Sequence, residues 1–238
     1  MRSLVVVGAG IFGGSLALRL VSSGWDVTLV EQYPPGHVRA ASGGESRLIR
    51  FAHGDNPWYT RSARRALDLW RELERETGTE LFVPSGVAWF FTGLHGWGEE
   101  SERVLKEQGI PVELLAPEEG ARLFPSFDAQ GLASILFEPE AGVLRARDAT
   151  RVTAELAIER GAHFVTGTAA PDGDAVLVGG ERLEADRIVW AGGAWLAGLF
   201  PELVDLRVTR QDVYFFGAPA GWQAPEIPAW VVDRKSVV

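Results

Sequence analysis

The first residues whose spacing suggests chemistry are glycines near the start of the chain. The pattern G-x-G-x-x-G is formed by Gly8, Ala9, Gly10, Ile11, Phe12 and Gly13. In this pattern the first glycine permits a tight turn, the second lets the backbone approach a pyrophosphate, and the third allows a helix to pack closely on a strand. The N–H groups at the start of that helix can bind the phosphates. These residues therefore predict a phosphate-binding turn.

Glu31 occupies the place where a dinucleotide site carries an acidic group, and the adjacent Gln32 is also predicted to bind the cofactor. Glu31 lies eighteen positions after Gly13, at the end of a predicted second strand. A carboxylate there accepts hydrogen bonds from ribose hydroxyls and disfavours a 2′-phosphate. Together with the glycine turn, Glu31 predicts a dinucleotide site. These residues alone do not distinguish FAD from NAD.

The predicted secondary structure places the glycines and Glu31 at the carboxyl ends of two parallel strands. Residues 4–7 form a short apolar run typical of a strand buried on both faces, and residues 26–30 form a second strand. Between them a helix is predicted to begin at Phe12, because apolar residues recur on one face, and to end before Gly24, because glycine is a natural stop. Strand, glycine turn, helix and strand follow one another as in a Rossmann βαβ unit.

Composition and charge narrow the classes of partner. The 238 residues are 46% hydrophobic and carry a net charge of −9, which argues against nucleic acid and membranes and favours a small molecule. The absence of cysteine excludes disulfides and thiolate metal sites and fits a cytoplasmic protein. Glycines interrupt the apolar N-terminus, so no signal peptide is expected. The histidines lack metal-ligand spacing, so no metal is expected, and the oligomeric state does not follow from the sequence.

Two further segments carry a resemblance to a known family. Residues 33–37 form a proline-containing loop, and residues 41–50 form a small-residue turn that ends in Arg47-Leu48-Ile49-Arg50. In these segments the chain resembles the FAD-dependent amine oxidases, a family that includes sarcosine oxidase, N-methyltryptophan oxidase, glycine oxidase and, more distantly, D-amino-acid oxidase. The resemblance runs from residue 3 to about residue 230 and includes residues 56–59, 81–87, 137–144 and 188–195.

The resemblance implies FAD as the cofactor and assigns two arginines to the chemistry. Arg50 matches the position that binds the substrate carboxylate, and Arg47 matches a basic residue beside the flavin. Arginines in such a stretch could instead form ordinary salt bridges. Members of the sarcosine type carry a histidine pair where this chain has Ser42-Gly43, and His53 replaces a common tyrosine. The further cofactor-binding residues that the resemblance implies are Ser42, Gly43, Arg47, Ala191, Gly192 and Trp195.

The chain is expected to be an α/β protein, with the Rossmann-like FAD-binding domain of a GR2-type flavoprotein and an interleaved, incomplete α+β substrate domain. After an insertion the βαβ pattern resumes with a strand at residues 163–166 and a hairpin at residues 175–185. The predicted domains are residues 1–82 and 146–206 for FAD binding, residues 83–145 and 207–232 for a partial substrate domain, and residues 233–238 as a non-native tail that resembles a translated sequencing adaptor.

The function predicted from these features is oxidation of the C–N bond of an amino acid or an N-methyl amine, with the flavin accepting the hydride. Such a protein is an oxidase or dehydrogenase of EC type 1.5.3 or 1.4.3. Because members of the family are longer than this chain, the chain is also expected to be a fragment that is inactive alone. The alternatives are a fragment that binds only the ADP moiety and an NAD-dependent Rossmann dehydrogenase.

Overall fold

The structure, a computed structural model, describes residues 1–93, 96–209 and 212–233. The described residues form two compact units, each built from two separate stretches of the chain. The first unit contains Met1–Ser46 and Arg145–Val213, and the second contains Arg47–Leu144 and the stretch from Tyr214 onward. Within these residues no helix is both long enough and apolar enough to cross a lipid bilayer.

Strands outnumber helices in the part of the chain that the structure describes. The strands are β1 Ser3–Val7, β2 Asp26–Glu31, β3 Arg47–Ile49, β4 Phe82–Val83, β5 Val87–Phe91, β6 Glu113–Leu115, β7 Ser134–Glu138, β8 Gly142–Leu144, β9 His163–Thr166, β10 Ala169–Asp172, β11 Ala175–Val178, β12 Glu181–Leu183, β13 Arg187–Trp190 and β14 Ala229–Asp233. The α-helices are α1 Ile11–Val21, α2 Pro57–Thr77, α3 Trp97–Glu107, α4 Ala146–Glu159 and α5 Leu196–Leu199. Short 3₁₀ helices span Pro117–Arg122 and Gly193–Trp195.

The central sheet of the first unit is parallel, with the strand order β13-β1-β2-β9. Helix α1 connects β1 to β2, which is the βαβ unit that the sequence predicts. Helices α1 and α4 pack against each other on one face of this sheet. On the other face lies the antiparallel sheet β10-β11-β12, which contains the predicted hairpin.

The composition of β1 explains why both faces of the parallel sheet are covered. Val6 belongs to one core cluster with Ala17 of α1 and Ala154 of α4. Its neighbour Val5 points to the other face and shares a cluster with Val176 of β11. Because successive side chains of a strand point to opposite faces, an unbroken apolar run needs cover on both sides.

The second unit contains a mixed sheet with the order β14-β5-β7-β6 and an antiparallel sheet with the order β3-β8-β4. In the mixed sheet β5 is parallel to β14 and antiparallel to β7. The register between β5 and β7 places Val87 opposite Glu138 and Trp89 opposite Leu136. These four residues therefore lie on one face of the sheet, since residues two apart on a strand share a face.

The α/β fold class with a parallel sheet is confirmed. Residues 47–82, which the sequence assigns to the FAD-binding domain, lie in the second unit, because β3 and β4 both pair with β8. The assignment of functions to the two units stays a prediction. Of the predicted tail, Asp233 ends β14, and residues 234–238 lie outside the described residues.

Candidate functional site

The glycine turn between β1 and α1 has the geometry that its spacing predicts. Gly8 has a φ of +106°, and a Cβ added there would lie 2.6 Å from the carbonyl oxygen of Ala191. A Cβ on Gly13 would lie 1.7 Å from the carbonyl oxygen of Gly8. A Cβ on Gly10, in contrast, would meet only the Ser42 hydroxyl, at 3.6 Å. Gly8 and Gly13 therefore allow the backbone to pack, whereas Gly10 leaves open space at the start of the helix.

The start of α1 presents backbone N–H groups toward this open space. The N-cap residue is Gly10, which has no side chain to accept a hydrogen bond. The N–H of Ile11 donates to the hydroxyl oxygen of Ser42 at 3.2 Å. Phe12, the next residue, is 84% exposed, so its side chain does not fill the site. Uncapped N–H groups and the positive end of the helix dipole favour an anion here.

Ser42 reaches the helix because the loop after β2 folds tightly. A Cβ on Gly43 would lie 1.9 Å from the carbonyl oxygen of His37, so only glycine permits this approach. The side chain of Arg147, in α4, donates from its Nε to the carbonyl oxygen of Gly43 at 3.3 Å. The predicted cofactor residues Ser42 and Gly43 are thus held beside the glycine turn.

Glu31 joins the glycine turn to the end of β2. One carboxylate oxygen accepts the N–H of Ala9 at 2.7 Å. The other accepts the N–H groups of Gln32 at 2.8 Å and Tyr33 at 3.2 Å. A carboxylate has about four acceptor positions, so these bonds leave capacity for a ribose hydroxyl. Glu31 can therefore bind a nucleotide and shape its site.

Of the predicted cofactor residues after β13, some lie beside the glycine turn. The N–H of Ala191 donates to the carbonyl oxygen of Val7 at 2.7 Å, which brings Ala191 beside the glycine turn. Gly192 is the N-cap of the following 3₁₀ helix, in which Trp195 is 42% exposed. The first unit thus gathers residues 8–13, Glu31, Ser42 and Ala191 around one open space. No described contact links Trp195 to that space.

The two predicted arginines lie in the second unit. Arg47 is exposed and lies in β3, opposite Leu144 of β8. Arg50 follows β3 and is half-buried, with its guanidinium 4.8 Å from the centre of the Trp89 ring. Nη1 of Arg50 donates to the carbonyl oxygen of Ala52 at 2.5 Å. Burial lowers the pKa of Arg50, and the nearby carboxyl group of Glu138 opposes that effect.

Glu138 is a buried carboxyl group that the sequence gives no role. One of its oxygens accepts the N–H groups of Phe51 at 2.6 Å and Ala52 at 2.9 Å, and the other accepts the indole N–H of Trp89 at 2.8 Å. Burial raises the pKa of Glu138, while these hydrogen bonds and the charge of Arg50 oppose the rise. The available signal in the sequence was an acidic residue directly after the apolar run 135–137.

His53 completes the surroundings of Arg50. Its Nδ1 lies 3.4 Å from Nη1 of Arg50, and its ring packs at 5.5 Å from the ring of Tyr59. Burial and the charge of Arg50 lower the pKa of His53. The neutral imidazole is therefore favoured, and it can accept the hydrogen bond from Arg50. Within the described ranges, no three His, Asp or Glu side chains are grouped closely enough to hold a metal ion.

Comparison with solved structures gives the same fold. The L-proline dehydrogenase from P. horikoshii is 19% identical and superimposes with a TM-score of 0.74, over 97% of this chain and 64% of that one. NikD, described as an unusual amino acid oxidase essential for nikkomycin biosynthesis, is 22% identical, with a TM-score of 0.67 over 84% of this chain and 54% of that one.

Comparison of sequences identifies the family. A family model described as FAD dependent oxidoreductase matches residues 3–237. Monomeric sarcosine oxidase from Bacillus sp. (strain B-0618) is 32% identical over 97% of this chain and 62% of that protein. N-methyl-L-tryptophan oxidase from Yersinia pestis (strain Pestoides F) is 27% identical over 97% of this chain and 64% of that protein. The chain spans about 60% of the length of these relatives. It belongs to the family of FAD-dependent oxidoreductases, and its cofactor is FAD.

Proposed function

We propose that the protein oxidises the C–N bond of an amino acid or an N-methyl amine. The observation that carries this proposal is the half-buried guanidinium of Arg50, stacked on Trp89, in a chain whose family uses FAD. FAD, when bound, supplies the hydride acceptor, so the protein has to bind and orient the substrate. Relatives named for sarcosine and N-methyl-L-tryptophan support a small substrate with a carboxylate and a secondary amine.

The first unit would hold the ADP half of the cofactor. The start of α1 would bind the pyrophosphate, because its N–H groups face open space at Gly10. Glu31 would accept hydrogen bonds from the ribose hydroxyls. The residues that we assign to cofactor binding are Gly8, Ala9, Gly10, Ile11, Phe12, Gly13, Glu31, Gln32, Ser42, Gly43, Arg47, Ala191, Gly192 and Trp195.

Arg50 would bind the substrate carboxylate. A guanidinium carries five N–H donors, and the described bonds to Ala52 and His53 both use Nη1. The remaining donors suit a bidentate pair with a carboxylate, which is stronger where water is partly excluded. A neutral His53 adds no second positive charge that would compete for the same anion. Arg47 is proposed only as a basic residue of the flavin site.

The test is a comparison of variants of the purified, flavin-loaded protein. With N-methylglycine as substrate, Arg50→Ala should raise KM by about 10-fold to 100-fold, because a hydrogen-bonded charge contributes about 1.5–3 kcal/mol. Arg103→Ala is the matched control, since Arg103 is exposed in the same unit and pairs with Glu107. Oxygen consumption, compared with dye reduction, then separates an oxidase from a dehydrogenase. An unchanged KM in Arg50→Ala would contradict the role of Arg50.

The second candidate function is binding of the ADP moiety alone, and it is favoured by the partial coverage of the relatives. A colourless protein that binds ADP and turns over no amine would support it.

A further inference from the structure

Glu138 holds the backbone of the segment that carries Arg50. Among the described Asp and Glu residues, it is the one whose side chain has no exposed surface. One of its oxygens accepts the N–H groups of Phe51 and Ala52, the two residues directly after Arg50. Because these residues are more than 80 positions away in the sequence, the bonds fix the segment against β7.

The second oxygen of Glu138 fixes the aromatic ring on which Arg50 lies. It accepts the indole N–H of Trp89 at 2.8 Å. Glu138 and Trp89 lie on the same face of the sheet, on the neighbouring strands β7 and β5. The guanidinium of Arg50 lies 4.8 Å from the centre of that ring, within the range of a cation–π interaction. One carboxyl group thus orients both the backbone and the ring that determine where the guanidinium lies.

We propose that Glu138 is a positioning residue that sets the location of the Arg50 guanidinium and, through it, the affinity for the substrate carboxylate. This inference rests on the proposed function for the role of Arg50. Glu138 itself would touch neither substrate nor cofactor. One of its oxygens holds the backbone after Arg50 and the other holds the ring of Trp89, so both oxygens contribute to the position of the guanidinium.

The arrangement requires a carboxyl group rather than an amide. The bonds to Phe51, Ala52 and Trp89 use both oxygens as acceptors. In Glu138→Gln an NH₂ group replaces one oxygen. This NH₂ group, itself a donor, would then face an N–H donor that needs an acceptor. Either the backbone of residues 51 and 52 or the indole of Trp89 then loses its acceptor. A buried donor without an acceptor is unfavourable, so the segment should shift.

A double-mutant cycle on the flavin-loaded protein tests whether Glu138 acts through Arg50. With N-methylglycine, Glu138→Gln should raise KM at least tenfold and change kcat less. When Arg50 is already alanine, adding Glu138→Gln should change KM by less than about twofold. If Glu138 acts through Arg50, the effects of the two mutations are not additive. Additive effects on KM would overturn the proposal. Glu140→Gln is the control, since Glu140 is only half-buried and pairs with Arg64.

Amide exchange gives a second readout that does not depend on turnover. In Glu138→Gln the N–H groups of Phe51 and Ala52 should exchange faster, and the NMR resonance of the Trp89 indole N–H should move. Other amides of β5 and β7 should keep their protection, and Glu140→Gln should match the unchanged protein. Uniformly faster exchange throughout the unit would mean that Glu138 only stabilises the fold, and it would overturn the proposal.

These readouts separate the two hypotheses. If Arg50→Ala leaves KM unchanged, the proposed role of Arg50 fails, while amide exchange still decides whether Glu138 positions the segment. If Glu138→Gln does not fold, Glu138→Asp replaces it, because aspartate keeps both acceptors but is one methylene shorter. Glu138→Asp should show faster exchange at Phe51 and Ala52 and a raised KM. Behaviour like the unchanged protein in both measurements would overturn the proposal.

Discussion

Two glutamates use the same bonding pattern for different purposes. Glu31 and Glu138 each accept three N–H groups, two of them on one oxygen. Glu31 is partly exposed at the carboxyl end of β2, so it has room to bind a ligand as well. Glu138 is fully buried and serves only other residues of the protein. The difference follows from their surroundings, since the two side chains are chemically identical.

His53 provides a prediction about pH at the level of a single residue. Its pKa is lowered in the folded protein by burial and by the charge of Arg50. An unfolded histidine has a pKa of about 6.5, so below that pH the unfolded chain binds more protons than the folded one. The free energy of unfolding should therefore fall as pH decreases from about 6.5 toward the folded pKa. NMR titration of the His53 ring measures this pKa.

Replacement of His53 checks the stability effect. In His53→Gln the loss of stability between neutral and mildly acidic pH should be smaller than in the unchanged protein, because glutamine does not titrate. A His53 pKa at or above 6.5 in the folded protein, or an identical slope in the two proteins, would contradict this prediction.

At the level of elements, the start of α1 depends on two adjacent glycines with different surroundings. A Cβ on Gly13 would lie 1.7 Å from the carbonyl oxygen of Gly8, which is backbone and cannot move aside easily. A Cβ on Gly14 would meet atoms of α4 at 3.7–3.8 Å, which is ordinary van der Waals contact. The close approach of α1 to β1 therefore needs glycine at position 13, whereas position 14 has room for a methyl group.

The two glycines make a matched pair for mutation. Gly13→Ala should destabilise the protein by about 3 kcal/mol or more, because an overpacked site costs about 1–3 kcal/mol even where side chains can adjust. Gly14→Ala should be neutral or stabilising by up to about 1 kcal/mol, since alanine favours helix more than glycine does. Chemical denaturation followed by circular dichroism measures both. Equal stability of the two variants would contradict the predicted contact.

At the level of the whole molecule, the chain leaves the first unit after Ser46 and re-enters it at Arg145, and these two points are adjacent. The N–H of Ala146 donates to the carbonyl oxygen of Glu45 at 3.0 Å, so the two ends are adjacent. The parallel sheet, α1, α4 and the sheet β10-β11-β12 all lie within this unit.

A shortened protein should therefore fold and bind ADP. It would join Ser46 to Arg145 through a short glycine-serine linker and end at Val213, because compact units with their own core can fold independently. Calorimetry should give an affinity for ADP similar to that of the full chain. Glu31→Ala in the shortened protein should weaken binding about tenfold or more, because a hydrogen bond to a charged group contributes about 1.5–3 kcal/mol. A folded shortened protein that does not bind ADP would contradict the assignment of the nucleotide site.

Features that depend on neighbouring residues could be predicted from the sequence. The spacing of Gly8, Gly10 and Gly13, the apolar strands on either side and Glu31 at the end of β2 lie within about thirty positions. Local patterns of this kind determine a βαβ unit, because turn, helix and strand form between residues that are close in the chain. The family of FAD-dependent oxidoreductases was also predicted from the sequence, because the resemblance lies in segments of consecutive residues such as 33–37 and 41–50.

Only the tertiary structure showed the surroundings of Arg50 and the extent of the two units. Glu138 meets Phe51, Ala52 and Trp89 because of the register between β5 and β7 and the path of the segment after β3. Residues 47–82 lie in the second unit because β3 and β4 pair with β8. These partners are far apart in sequence, and a shift of one residue in register would turn each side chain to the opposite face. Long-range pairing, which no local pattern encodes, therefore decided them.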